Sequence, residues 1–450
     1  MEKSGQGCCS PRRVVLVPAP FQGHLNPMLY LGSILHSKGF SITVAYINFN
    51  SPDPSNHPDF QFLQIPFDPS ELLQICRGEY ITFMLMLSEY CESPLLECFS
   101  QIEEKRDDFE KISCIIHDEF MSFSSAAAIR LKLPSIIFRT SCSTTFISRH
   151  CLLHLTIEDL DSEELVPELP YPIRFKDLPL NTLGTLENFL KLVVNIENTR
   201  NSSAVIFNTM EFLEESSLAK IRRESHFSIF PIGPMHKIAS ASAGNLLEED
   251  RSCLLWLNKQ ADNSVLYVSM GSVASMEEKD VTEMAWGLAN SKQPILWVVR
   301  PGSIKGYEWI ESLPVGLMEA VRERGYFVKW APQKEVLAHP AVGGFWSHCG
   351  WNSIVESLSE GVPMICQPCF GDQKVNARCL SHVWKVGLEL RGNLERGEVE
   401  KTVKRLMVKD EGEEMRKRAM DLKRKVEISI REGGSSYSSM NELVGLIMSF

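Results

Sequence analysis

The sequence predicts two doubly wound α/β units, each a parallel sheet covered by helices, facing one another across a cleft. Three observations carry this expectation. Short β-rich apolar runs alternate with segments of helical periodicity, which is the rhythm of β-α-β crossovers. The rhythm breaks once, over residues 230–250, and then restarts. The chain has 450 residues, enough for two or three domains at about 150 residues each.

In the first half, "RRVVLVPAP" (12–20) reads as a buried strand. "HLNPMLYLGSILHSKGF" (24–40) carries apolar residues at helical spacing with Gly39 as a stop, and "SITVAYI" (41–47) is the next strand. The pattern continues through "SCIIHDEF" (113–120), "SIIFRT" (135–140) and "SAVIFNT" (203–209). Residues 52–80 and 155–200 read as loops and short helices over a sheet rim. "FPIGPMHKIASASAGNLLEED" (230–250) has two prolines followed by small and polar residues, the composition of a linker.

Beyond it come the strand "SVLYVSMGS" (264–272), the amphipathic helix "EEKDVTEMAWGLANS" (277–291) and the strand "PILWVVR" (294–300). "YFVKWAP" (326–332), "GGFWSH" (343–348) and "VPMICQP" (362–368) are further strands, each followed by a helix signal, and 397–450 reads as helices of mixed charge. Two such units form a cleft between the carboxyl ends of their strands.

Composition excludes several classes. A net charge of −11 disfavours nucleic acid and anionic membrane surfaces. An anionic small molecule needs local groups that overcome that field. The N-terminus "MEKSGQGCCSPRR" has no apolar core of a secretory signal, and no run of about 18 apolar residues reads as a membrane span. Thirteen scattered cysteines indicate free thiols in a reducing compartment, so a cytoplasmic protein is expected. Cys8 and Cys9 read as part of a polar tail. Asp159-Leu160-Asp161 has metal-diphosphate spacing but lies in an acidic stretch, and Cys366-x-x-Cys369 lacks a second ligand pair.

"GGFWSHCGWNSIVESLSEG" (343–361) concentrates special side chains at a strand-to-helix corner. Gly350 permits a tight turn, and Asn352 or Ser353 is a suitable N-cap. The first turn of the helix then points unpaired N–H groups and a positive dipole end into the cleft, which suits a phosphate. His348, Asn352 and Ser353 add donors there. Glu356, one turn on, is a two-oxygen acceptor for vicinal hydroxyls. A capping box from Ser353 to Glu356 explains those two residues but leaves His348, Trp351 and the glycines without a purpose. Trp330 closes a strand where an indole can stack on a flat base, with Gln333 beside it. Asp372 next to Gln373 is a pairing for sugar hydroxyls, or a helix cap. Gly271 and Ser272 follow the second unit's first strand as a further phosphate contact.

Residues 330 to 373, "WAPQKEVLAHPAVGGFWSHCGWNSIVESLSEGVPMICQPCFGDQ", resemble the signature box of plant family-1 UDP-sugar-dependent glycosyltransferases. "PFQGHLNP" (20–27) resembles the same family's N-terminal active-site loop, and the likeness extends over the chain after about residue 12. "GDQKVNAR" and the N-terminal stretch look most like the group acting on cytokinins, diterpenoid glycosides and small hydroxy acids. The resemblance implies a GT-B fold: an acceptor domain over 1–234, a linker over 235–252, a UDP-sugar domain over 253–434, and a helix over 435–450 packing back on the first domain.

Carried onto matching positions, it implies Trp330 stacked on uracil, and Gln333 and Glu356 on ribose. His348, Asn352, Ser353 and Ser272 would hold the diphosphate. Trp351, Asp372 and Gln373 would contact the sugar, most simply glucose, with Ala331 and Gly350 completing the donor site. His24 follows the first strand and has the unperturbed pKa of a base for neutral pH. Asp118 ends the strand "SCIIHD" and is the carboxylate expected behind it, with His117 and Glu119 as alternatives. The acceptor pocket is expected at Phe21, the segment 80–91 including Met84, Phe120, and the run beginning at Thr140. The reading is direct displacement with inversion, by a monomer, with UDP-glucose as co-substrate and neither metal nor cofactor. An acyltransferase wants His-x-x-x-Asp, a hydrolase Gly-x-Ser-x-Gly and a nicotinamide enzyme Gly-x-Gly-x-x-Gly, and none of these occurs. A UDP-sugar-binding protein without turnover is the remaining alternative.

Overall fold

The computed structural model describes residues 12–76, 79–104, 112–155, 162–180, 185–239, 244, 247–390 and 394–450. Cys8, Cys9, Asp159 and Asp161 lie outside them. The first half builds an all-parallel sheet from β1 (Arg13–Val17), β2 (Ser41–Tyr46), β3 (Gln61–Gln64), β4 (Ile112–Asp118), β5 (Ser135–Arg139), β6 (Ala204–Phe207) and β7 (Ser228–Pro231). Their order is β3-β2-β1-β4-β5-β6-β7. The second half builds another from β8 (Val265–Ser269), β9 (Ile295–Val298), β10 (Gly325–Val328), β11 (Val342–Ser347), β12 (Met364–Cys366) and β13 (Gly387–Glu389), in the order β10-β9-β8-β11-β12-β13.

Central strands are continuous apolar runs because helices cover both faces. All seven residues of β4 are buried, as are all five of β5 and of β8. The edge strands read differently. β3 ("QFLQ"), β7 ("SIFP") and β13 ("GLE") are short and partly polar, and the sequence rhythm misses all three. β3 lies inside the stretch 52–80 read as loops and short helices. Pro231, which has no ladder donor, ends β7 at the sheet edge.

In each sheet the strand order reverses once, between β1 and β4 and between β8 and β11. A crevice opens at such a switch point, outside the carboxyl ends of the strands. The two crevices face each other.

The stretch read as linker starts with the short helix Met235–Ile238, whose Met235 is buried in the first sheet's core with Val14, Leu16 and Ile116. The helix Ser435–Ser449 inserts Met440, Leu443 and Ile447 into that same cluster. Ser436 Oγ donates to the Gly233 carbonyl at 2.6 Å and fastens its start. The chain thus crosses between the sheets twice. Among the described residues no helix is long and apolar enough to cross a membrane.

Candidate active site

A cavity of about 360 Å³ fills the cleft. Every residue expected at the donor site lines it, as do His24, Phe21, Met84, Phe120 and Thr140. Asp118 is the exception: it lies behind His24, fully buried.

The first sheet's side is built at its switch point. β1 runs out through Pro20 and Phe21 into the helix Gln22–Ser37, and His24 sits in that helix's first turn. Asp118 closes the neighbouring strand β4. His24 Nδ1 lies 2.8 Å from Asp118 Oδ2. The other carboxylate oxygen accepts the Phe120 backbone N–H at 2.9 Å, which fixes the carboxylate's plane. With Nδ1–H given to Asp118, the lone pair is on Nε2, which has no partner among the described residues. Burial works against the imidazolium, but the charge and hydrogen bond of Asp118 outweigh it, aided by Glu119 and Asp372, and the His24 pKa is raised. His117 points elsewhere: its Nδ1 meets the Asp118 carbonyl and its Nε2 the Ser125 hydroxyl.

Thr140, expected to touch acceptor, presents its hydroxyl to His24 Nδ1 at 2.9 Å. It lines the cavity, but its polar atom supports the imidazole. Phe120 packs on the same ring at 4.9 Å, and Phe21 meets Tyr80 edge-on at 5.8 Å. The helix Tyr80–Tyr90 is at once core and wall. Ile81, Phe83, Met84 and Leu87 are buried, and Tyr80, Ile81 and Met84 also border the cavity.

The second sheet's side centres on the corner after β11. The helix spans Trp351–Glu360 and its N-cap is Gly350, so Asn352 and Ser353 stand within the first turn and neither caps it. No side chain caps this end, and its N–H groups are left for a ligand. The left-handed residue of the turn is Cys349, with φ 65°, while Gly350 has φ −63°. Gly350 is glycine for another reason: a Cβ there would stand 2.4 Å from His348 Nε2. A Cβ on Gly271 would likewise stand 2.6 Å from the same ring. Gly271 follows β8, Ser272 comes next, and the imidazole of His348 lies close against two glycines at the second switch point. Burial alone lowers the His348 pKa to about 4, so the ring is neutral at physiological pH.

The capping box does not form. Gln333 Nε2 instead donates to both Ser353 Oγ (3.0 Å) and Glu356 Oε2 (2.7 Å), and its Oε1 accepts from Tyr267 (3.3 Å). Burial raises the Glu356 pKa, opposed by Gln333 and Lys334. Trp330 lies two residues past the end of β10, half-buried at the cavity, which a purely core indole would not be. Asp372 occupies a helix N-cap position without a side-chain cap and accepts from Asn376 Nδ2 at 2.9 Å. Burial raises its pKa. Gln373 Oε1 takes the N–H groups of Cys369 and Phe370, holding the loop between them. Among the described residues no three His, Cys, Asp or Glu side chains gather as a metal site.

Several residues at the cleft carry no local sequence signal. Asn208, one residue past β6, accepts the Trp351 indole N–H on its carbonyl at 2.8 Å and donates to Asn352 Oδ1 at 3.3 Å. Trp351 therefore commits its only polar atom to the other domain. Lys334 Nζ reaches Tyr30 OH at 2.7 Å. Asn352 Nδ2 donates to the Gly23 carbonyl at 2.6 Å. That carbonyl is available because Pro27, four residues on, has no N–H to bond it. The proline of "HLNP" thus frees an acceptor for the opposite domain.

This gives a first prediction. Pro27→Ala removes an interior helix proline worth about 3 kcal/mol and supplies a competing donor for Gly23, against an interdomain hydrogen bond worth about 1 kcal/mol. The expected outcome is a melting temperature no lower than wild type with kcat/KM for the donor reduced severalfold, measured by thermal unfolding and steady-state kinetics. A drop in stability with unchanged kinetics would contradict it.

Comparison with known proteins agrees with this geometry. The sequence pattern of the family described as "UDP-glucoronosyl and UDP-glucosyl transferase" matches residues 73–425. UDP-glycosyltransferase 76E1 of Arabidopsis thaliana is 50% identical over 442 residues, covering 96% of each chain. The Arabidopsis flavonol 3-O-glucosyltransferase UGT76E12 is 50% identical over 448 residues, covering 97% of each. The solved structure of Phytolacca americana UGT2, complexed with UDP-2fluoro-glucose and pterostilbene, superposes with a TM-score of 0.84 at 26% identity, over 98% of this chain and 100% of that one. Two facing parallel-sheet domains, a box of donors at one switch point and this degree of likeness establish that the chain belongs to the plant family-1 UDP-glycosyltransferases of the GT-B type.

Proposed function

We propose that this enzyme moves glucose from UDP-glucose to a hydroxyl of a small lipophilic plant metabolite or its glycoside, with inversion, using His24 as general base and Asp118 as its partner. One observation carries the reading. His24, held through Nδ1 by Asp118, lines the same cavity as His348 and the uncapped helix start at Trp351.

Trp330 offers a face for uracil, and Glu356 and Gln333 offer oxygens and an amide for ribose. The N–H groups at Trp351 and beyond, neutral His348, Ser272, Ser353 and the second proton of the Asn352 amide converge on the diphosphate. Asp372 and Gln373 face the hexose, with Trp351 forming the wall beneath. The acceptor hydroxyl gives its proton to His24 Nε2, its oxygen bonds to the anomeric carbon, and the bond to the β-phosphate oxygen breaks. The leaving charge falls on preorganised donors, the arrangement that stabilises developing anions most effectively. No metal or cofactor is required by this scheme. We place the enzyme in the cytosol as a monomer. The narrower affinity with the group acting on cytokinins, diterpenoid glycosides and small hydroxy acids stays part of the proposal, beside the flavonol activity named for the Arabidopsis relative.

The sign of the pH dependence follows from the raised His24 pKa. The base works when neutral, so kcat/KM rises with pH through a value above the ordinary 6.5. Stability runs the other way. The His24–Asp118 pair contributes most below the unfolded-state pKa and loses its contribution as pH rises through the raised value. A pH–rate profile whose acid limb falls below 6.5 would count against the assignment. The function itself is tested by UDP release from UDP-glucose against a panel of hydroxylated acceptors, alongside direct titration with UDP. Tight UDP binding without turnover of any acceptor would make this a sugar-nucleotide-binding protein instead.

A further inference from the structure

We propose that Arg149 forms an anion-binding subsite in the acceptor half of the cavity, and that the acceptor carries a carboxylate in addition to the hydroxyl that is glycosylated. The inference rests on the proposed function, since it takes a hydroxyl at His24 as the nucleophile.

Arg149 stands on the helix Ser143–Leu152 and is only 8% exposed, yet it lines the cavity. Its Nη1 donates to Glu119 Oε2 at 2.8 Å. That same oxygen receives Arg139 Nη1 at 2.7 Å, and Glu119 Oε1 receives the Ser141 hydroxyl at 3.2 Å. Arg139 is fully buried, with Nη2 on the Ile196 carbonyl and its plane over Phe146 at 4.3 Å. The fourth member, Glu197, stands off: its Oε1 is 3.7 Å from Arg139 Nη1 and makes no hydrogen bond. Two guanidinium groups therefore close on a single tightly bonded carboxylate. Nε and Nη2 of Arg149 have no hydrogen-bond partner among the described residues.

Charge and shape agree on the missing partner. Burial raises the Glu197 pKa to about 7 against the pull of Arg139 and Arg149. Burial also opposes the charge of Glu119, but Arg149 and Arg139 hold its pKa below the usual carboxylate range. Burial works against the charge of Arg149, but Glu119, Glu197 and Asp372 of the second domain all act on it and raise its pKa, so the guanidinium stays charged while two of its nitrogens lack a hydrogen-bond partner among the described residues. A buried cation with unused donors is costly unless an anion meets it. The unused edge of a guanidinium takes a carboxylate through two parallel hydrogen bonds. The cavity it lines also has apolar walls, from Phe21, Met84, Phe189 and Leu192. The fitting molecule has an apolar body and an acidic end.

The carboxylate is the anchor and not the nucleophile. At neutral pH it is already ionised and needs no base, whereas the His24–Asp118 pair serves a group that must lose a proton. The hydroxyl proton passes to His24 Nε2, the oxygen–anomeric carbon bond forms, the electron pair of the broken bond leaves on UDP, and the carboxylate is unchanged.

The test uses the purified full chain, UDP-glucose, and a panel of aromatic and aliphatic hydroxy acids, each beside its methyl ester. Each free acid that is turned over should exceed its ester in kcat/KM by about tenfold or more, the range of a charge-assisted pair. The product should be alkali-stable, as a glycoside is and a sugar ester is not. Arg149→Gln should collapse the acid-to-ester ratio toward one, mainly through acceptor KM, and Arg149→Lys should keep part of it. UDP titration of both variants reports that the fold is intact, and the wild-type ratio decides the matter even if a variant fails to fold. Esters turned over as well as acids, turnover confined to neutral phenols, or alkali-labile products would overturn the subsite. Efficient turnover of neutral alcohols through His24 would at the same time leave the proposed function standing.

Discussion

His24→Ala is expected to lower glycosyl transfer to an alcohol acceptor by about a thousandfold, within the range a positioned general base supplies. UDP affinity should change little, because the proposed donor contacts belong to the second domain. The imidazole is held by Asp118 at 2.8 Å, backed by Thr140 and covered by Phe120, so its removal deletes the base and leaves that framework in place. Asp118→Asn should produce a smaller loss and shift the acid limb of the rate profile downward, since the carboxylate raises the His24 pKa. Isothermal titration with UDP and initial rates with UDP-glucose separate the two effects. Turnover by His24→Ala within a few-fold of wild type would remove this residue from the chemistry.

Gly271→Ala is expected to damage donor binding more than any other single methyl group in the cleft. Two costs combine. At φ +74° a non-glycine residue meets a left-handed penalty of about 1–2 kcal/mol. The new Cβ also enters the ring of His348 at 2.6 Å, and forcing such contacts in a packed site costs about 1–3 kcal/mol. A Cβ at Gly271 therefore displaces the imidazole that is proposed to meet the diphosphate, and Gly350, against the same ring, leaves it little room to yield. UDP affinity should fall by about tenfold or more, equivalent to about 1.4 kcal/mol. Gly302→Ala is the control: it shares a positive φ of 70° but has nothing within 4 Å of its new methyl. It should lose some stability and keep its UDP affinity. Equal UDP affinity in the two variants would show that the ring does not depend on that gap.

All the proposed donor residues but Ser272 were visible together in the sequence because they lie within one stretch, 330 to 373, where the end of β10, β11, β12 and their helices follow each other directly. His24 and Asp118 each stand at the end of an apolar run, but the resemblance of "PFQGHLNP" to the family's active-site loop singled out His24, and with it the carboxylate expected behind it, and the switch point between β1 and β4 brings those ends together. What escaped had no local pattern. Asn208 looks like an ordinary turn former after "AVIF", and only the approach of Trp351 and Asn352 from 143 and 144 positions away gives it a role. Arg139 and Arg149 are scattered charges until β4, β5 and the helix after β5 pack and bring both onto Glu119. The helix start at 343–361 was placed correctly in kind but capped at the wrong residue. Asn and Ser favour caps, yet here both side chains are claimed by Gly23 and Gln333.

Two separate spans join the halves of the molecule, one through Met235–Ile238 and one leading into Ser435–Ser449, and both end in the same apolar cluster. A body tethered at one point can twist freely, whereas one tethered by a pair of neighbouring straps opens and shuts chiefly about the line between them. A paired strap of this kind favours a jaw-like swing of the second domain, one in which Asn352 would leave the Gly23 carbonyl and return to it in the same alignment.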